Sequence, residues 1–242
     1  MTRRAHTEKV AAAAVLVCAC ACGASGPSDA VRPQSDRSQT GQTAVRPVRP
    51  QTDRPKIVIL GDSLTAGLGL PIDKAYPSLL QQRLNDAKLN FDVVNAGVSG
   101  DTSAGGLSRL EWSLQGDVRI LVVALGGNDA LRGLPIDELT RNLSQIIERA
   151  QARRITVILA GMEAPPNWGR DYIVAFHKVY PALAAKYHVA LVPFLLQNVA
   201  GSDALNQNDG IHPTAAGARI VADNVWTVLR PIAEQMQQTS SR

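Results

Sequence analysis

From Lys56 onward the chain alternates short β-branched runs with longer stretches whose apolar residues recur at helical spacing. Five runs read as strands: Lys56 to Leu60, Phe91 to Asn95, Arg119 to Leu125, Thr156 to Ala160 and Val189 to Pro193. Each is mostly apolar along its length, as expected of a strand buried on both faces. Between and after them, Tyr76 to Ala87, Gly106 to Leu114, Asp137 to Ala152, Asp171 to Tyr187 and Thr214 to Gln235 read as helices. Asp137 and Thr214 are residue types that cap helix N-termini. This order predicts an α/β fold, a three-layer α/β/α sandwich around a five-stranded parallel sheet, over residues 55–236. Residues 237–242 are expected to be a disordered tail.

Upstream the pattern changes. Arg3, Arg4 and Lys9 precede the apolar run Val10 to Val17, and small residues follow, so residues 1–22 read as a secretory signal. Val17-Cys18-Ala19-Cys20 resembles a lipobox, making Cys20 a candidate lipidation site, with Cys22 the competing acceptor. Cleavage after Ala21 would instead leave a soluble protein. Residues 23–54 are rich in Ser, Thr, Gln, Arg and Pro and have little to bury, so they read as a disordered tether. The chain is therefore expected to be exported to the bacterial periplasm or cell envelope, with a membrane contact only through an N-terminal lipid anchor.

Charge alters this picture in one respect. The net charge of +4 comes from the first 54 residues, which hold eight Lys or Arg against four Asp or Glu, leaving the remainder formally neutral. With 4% aromatic residues and no basic stripe, a nucleic-acid partner is not expected. All three cysteines lie within the first 22 residues, so the domain is expected to lack disulfides, and its scattered histidines give no metal-ligand pattern. No metal or cofactor is called for.

Ligands of such sheets sit beyond the carboxyl ends of the strands. The segments leaving the first three strands are Gly61-Asp62-Ser63-Leu64, Ala96-Gly97-Val98-Ser99-Gly100-Asp101 and Gly126-Gly127-Asn128-Asp129, all predicted to share one rim. Ser63 follows a buried strand, where its hydroxyl suits nucleophilic attack, although Ser-Leu-Thr is also an ordinary helix cap. A serine nucleophile needs a base. His6 lies in the signal, and His177 and His188 lie in or just after a helical pattern. His212 sits in Asp209-Gly210-Ile211-His212-Pro213-Thr214, a turn leading into the last helix, with Asp209 three residues upstream to orient the ring. Separately, Asp-x-x-His is also a common capping turn; joined to Ser63 it reads as a catalytic set. Gly100 and Asn128 can donate hydrogen bonds to an oxyanion, and each is equally a turn former by itself.

These four stretches, in this order and spacing, resemble the blocks of the SGNH, or GDSL, hydrolase superfamily. From Ile57 to about Val228 the chain is most similar to its bacterial multifunctional acyl-CoA thioesterases, which also act as lysophospholipases and arylesterases. The resemblance implies a flavodoxin-like SGNH hydrolase fold, with Ser63 as nucleophile, Asp209 and His212 as orienter and base, and Ser63 N–H, Gly100 N–H and the Asn128 amide as the oxyanion hole. The expected reaction is hydrolysis of a carboxylic ester or thioester by a monomer acting on a small-molecule acyl substrate. A sugar O-deacetylase, or a tethered module without catalysis, are the alternatives. Asp62, Leu64 and Ile211 are expected to face the substrate, and the loop Met162 to Arg170, with Pro165 and Trp168, to wall an acyl chain.

Overall fold

The computed structural model describes residues 54–240; the expected signal, with Cys20 and Cys22, and the tether up to residue 53 lie outside them. Strands β1 (Lys56–Gly61), β2 (Asp92–Gly97), β3 (Val118–Ala124), β4 (Thr156–Ala160) and β5 (Ala190–Val192) form one parallel sheet in the order β2-β1-β3-β4-β5. Ile57 to Leu60 of β1 and Ile120 to Val123 of β3 have no solvent-exposed surface. That is why their sequences are apolar at every position instead of every second one.

Among the described residues, eight α-helices accompany the strands: α1 (Ser63–Ala66), α2 (Tyr76–Asp86), α3 (Ser103–Ser108), α4 (Leu110–Ser113), α5 (Gly127–Leu131), α6 (Ile136–Ala152), α7 (Arg170–Tyr187) and α8 (Ala215–Ser240). Parallel neighbours need crossovers, and α2 and α6 with α7 supply them. Helix α2 packs on α8, while α6 packs on α3 and α7, giving helical layers around the sheet. Among the described residues, no helix is long and apolar enough to cross a membrane.

Several boundaries differ from the sequence pattern for local reasons. The stretch expected as one helix, Gly106 to Leu114, is two short ones, α3 and α4, interrupted at Arg109 (φ −105°, ψ 7°). Helix α6 begins at Ile136 after Pro135, so Asp137 lies in the first turn and does not cap it; there its charge still favours the helix start. Thr214 does cap α8, its Oγ1 accepting the Gly217 N–H at 3.3 Å. Helix α8 continues to Ser240, into residues expected to be a loose tail. Gln237 anchors that last turn: its Oε1 accepts the Asn90 N–H at 2.7 Å and its Nε2 donates to the Lys88 carbonyl at 3.1 Å.

The register aligns the carboxyl ends of the first three strands: Gly61 pairs with Gly97 on one side and with Ala124 on the other. The three expected loops therefore leave the sheet side by side.

Candidate active site

Asp62 follows the last residue of β1 and caps α1, its Oδ1 accepting the Leu64 N–H at 3.0 Å. This turn sets Ser63 as the first residue of a one-turn helix at the strand end. Behind it, Thr65 is fully buried and shares a 2.7 Å hydrogen bond with the Tyr76 hydroxyl, which pins α1 to the start of α2.

The turn from Asp209 to His212 comes from the far end of the sheet. Oδ1 of Asp209 accepts the N–H groups of Ile211 and His212, both at 2.9 Å, closing the turn around Gly210. An antiparallel bridge between Asn206 and Pro213 forms its base. Gln207 spans to the nucleophile's element, its Nε2 donating to the carbonyls of Pro213 at 3.0 Å and Leu68 at 2.8 Å. Gly69 leaves room for that side chain, since a Cβ there would lie 2.2 Å from Gln207 Oε1.

The two elements meet at the side chains. His212 Nε2 lies 2.8 Å from Ser63 Oγ, and His212 Nδ1 lies 2.7 Å from Asp209 Oδ2. Hydrogen bonds from the backbone of His212 and Ile211, then from the imidazole, hold the Asp209 carboxyl down at about 2. An ionised carboxylate only accepts, so Nδ1 carries the ring hydrogen and Nε2 presents its lone pair to the Ser63 hydroxyl. That arrangement can remove the serine proton.

Asn128 lies in the first turn of α5 beside them. Its Nδ2 donates to the Asp101 carbonyl at 2.9 Å and to Asp62 Oδ2 at 3.2 Å. Gly100, adjacent to Asp101, has φ +82°, a conformation that costs a side-chain-bearing residue energy, and its N–H donates to no group among the described residues. Asp62 is 3% exposed, and burial pushes its carboxyl up to about 6 despite the Leu64 N–H, His212 and Asn128 beside it. Asp62 thus acts chiefly on protein groups, although it forms part of a groove wall.

That groove, of about 370 Å³, runs from Ser63, Asn128 and His212 past Leu64, Leu131, Met162, Pro165, Phe194 and Ile211. Of the residues expected to face a substrate, Asp62, Leu64, Pro165 and Ile211 line it. Trp168 does not. Its ring lies over Gly133 and against Tyr172, whose hydroxyl donates to the Leu134 carbonyl at 3.0 Å, so the indole braces two loops against each other. Residues with no distinctive sequence signal complete the wall, among them Phe194, Leu196 and Ala200. Among the described residues, the other histidines engage other groups: His177 pairs with Glu163 at 2.7 Å, and His188 ends α7 in a left-handed conformation.

Residues 59–220 match the GDSL-like Lipase/Acylhydrolase family. The chain belongs to that family. This GDSL-like hydrolase is 46% identical over 177 residues to the Esterase TesA of Pseudomonas aeruginosa, an alignment covering 73% of the chain and 88% of the relative. It is 38% identical over 177 residues to the Thioesterase 1/protease 1/lysophospholipase L1 of Escherichia coli K12, covering 73% and 84%. A crystal structure of TesA superposes with a TM-score of 0.70 at 45% identity, covering 73% of this chain and 98% of that one. The expected fold is therefore that of the family, and the GDSL-like hydrolase is an esterase-class enzyme cleaving carboxylic ester or thioester bonds.

Proposed function

We propose that the enzyme works through an acyl-Ser63 intermediate. Ser63 Oγ attacks the acyl carbon as His212 Nε2 takes its proton, and the resulting imidazolium, stabilised by Asp209, passes the proton to the leaving alcohol or thiol. A water activated by the same imidazole then releases the acid. The N–H groups of Ser63 and Gly100 and the Asn128 amide receive the negative charge on the former carbonyl oxygen. Of the two Asn128 contacts, the longer one to Asp62 is the hydrogen that an oxyanion draws upon. The observation that carries this reading is the unbroken pair of contacts, 2.8 Å from serine to imidazole and 2.7 Å from imidazole to carboxylate.

The groove fits a small to medium acyl chain: its volume falls in the range of small-molecule sites, and its walls are largely apolar. A neutral acyl group satisfies such walls better than a sugar, whose hydroxyls would need partners there, which favours the acyl esterase and thioesterase reading over sugar deacetylation. Ser63→Ala should cost several orders of magnitude in turnover of 4-nitrophenyl acyl esters and acyl-CoAs, and should abolish labelling by a fluorophosphonate. Turnover near wild type in that variant would refute the assignment.

We further propose that the protein is exported, with Cys20 or Cys22 the residue that receives a lipid if the signal is processed as a lipobox. The charged start, short apolar run and small residues support this. Mass spectrometry of the mature N-terminus tests it; an unmodified start at or beyond Cys22 excludes the lipid, and an intact Met1 excludes the cleaved signal.

A further inference from the structure

We propose that Arg109 is a positioning residue of the oxyanion hole. The proposal rests on the reading of Gly100 as an oxyanion donor and says what holds that donor in place. Arg109 stands at the interruption between α3 and α4, and its guanidinium makes three short contacts in three directions. Nε donates to Asp101 Oδ2 at 2.6 Å, Nη1 to the Ala96 carbonyl at 2.7 Å and Nη2 to the Gly61 carbonyl at 2.8 Å. Each acceptor belongs to a different part of the site. Gly61 is the last residue of β1, two before Ser63; Ala96 lies at the end of β2; Asp101 follows Gly100.

One planar cation thus fixes the nucleophile's strand relative to the loop that carries the backbone donor. Side chains of Arg109 and Asp101 are each only 17% exposed, so this pair is shielded from the screening that makes surface ion pairs weak. A second contact on the same loop, Arg132 Nη2 to the Gly100 carbonyl at 2.8 Å, is exposed. It restrains one carbonyl at the surface, whereas Arg109 ties together two backbone carbonyls and the Asp101 carboxylate. The fork geometry matters, because an ammonium offers no planar set of donors for three diverging acceptors.

Catalysis depends on donors being preorganised where the charge develops. Loosening Arg109 therefore leaves ground-state binding in the groove intact and weakens the tetrahedral state. For Arg109→Lys we expect kcat to fall about tenfold to a hundredfold, less than the roughly 10²–10³ for outright loss of a donor, with KM nearly constant. Affinity for an alkylboronic acid, which forms a tetrahedral adduct on serine, should fall by a similar factor, while an unreactive thioether analogue binds as before.

Asp101→Asn, which keeps the shape and removes the charge, should show the same split at smaller size and covers the case in which Arg109→Lys does not fold. Activity is counted per fluorophosphonate-titrated site, so a loss of folded protein does not mimic the effect. Per-site kcat and boronate affinity equal to wild type in the folded variants would overturn the proposal. So would parallel losses in thioether and boronate binding. The oxyanion reading is tested separately by Asn128→Ala: wild-type turnover there defeats that reading, whereas a large loss there with unchanged Arg109 and Asp101 variants defeats only the role of Arg109.

Discussion

Asp62 and Asp209 both stand beside the Ser63–His212 pair, the first 3% exposed at the end of an interior strand, the second in a turn with its side chain 46% exposed. Burial raises the carboxyl of Asp62 to about 6, and hydrogen bonds within its own turn lower that of Asp209 to about 2. Solvent exposure alone would suggest that the buried acid is the specialised one. Geometry assigns the roles otherwise: Asp209 contacts the imidazole at 2.7 Å, while Asp62 caps a helix and holds an amide. A carboxylate intended to stay ionised beside a histidine is better served by three local donors than by a dry interior. The buried one spends stability to hold backbone and Asn128 in register.

The largest consequence of this division concerns the exposed acid. Asp209→Asn preserves an oxygen for the Ile211 and His212 N–H groups but presents a donor to Nδ1, favouring the wrong tautomer. Turnover should fall about 10³–10⁴-fold, with fold and groove unchanged. A loss below tenfold would show that the turn does not set the ring's protonation.

The buried acid should reveal itself in stability. Its folded-state value of about 6 exceeds the ordinary 3.8, so its contribution is complete below about pH 4 and drains away as pH rises towards 6. Two units correspond to about 3 kcal/mol, reduced in Asp62→Asn by a donor–donor contact with Asn128. That variant should unfold a few degrees higher than wild type at pH 8 and gain nothing at pH 4, while turning over more slowly. Thermal melts at the two pH values check both halves; equal differences at both would mean that burial of charge is not the cause.

The smallest effect is local. The depressed value of Asp209 means that its hydrogen bonds persist above about pH 4 and are lost as pH falls through about 2. Protection factors of the Ile211 and His212 amides should drop over that interval while those of β1 and β3 hold. Retained protection at both amides would contradict the assigned hydrogen bonds.

Much of this architecture was legible because burial on two faces leaves a simple trace. The runs around Ile57 to Leu60 and Ile120 to Val123 could hardly be anything but interior strands. Short elements left no such trace. Helices α1 and α5 are only four and five residues long, too short for an apolar helical pattern to repeat, and depend on the strand ends and caps around them. The rim loops were placed by topology, a serine's need for a base singled out Asp209 and His212, and the motif resemblance implied the same residues, which the structure brings within contact. Arg109 was silent, since an arginine in a helical pattern reads as a solvated face until the helix is found to stop there. Trp168 misled in the opposite sense, because an aromatic near a groove looks like its wall, whereas its ring lies over Gly133, where the glycine's missing side chain leaves it room, and against Tyr172.

Gln207 carries a consequence for how this enzyme can be altered. It is fastened to Leu68 and Pro213, and its neighbour Asn206 ties the base of the histidine turn to the carbonyls of Val199 and Ser202. The spacing between serine and imidazole therefore rests on backbone atoms of residues 194–204 and not on the side chains of Phe194, Leu196 and Ala200, which that stretch contributes to the groove. Evolution or an engineer can thus change the bulk of those side chains to admit other acyl groups, keeping the backbone's length, without retuning the proton transfer on which every substrate relies.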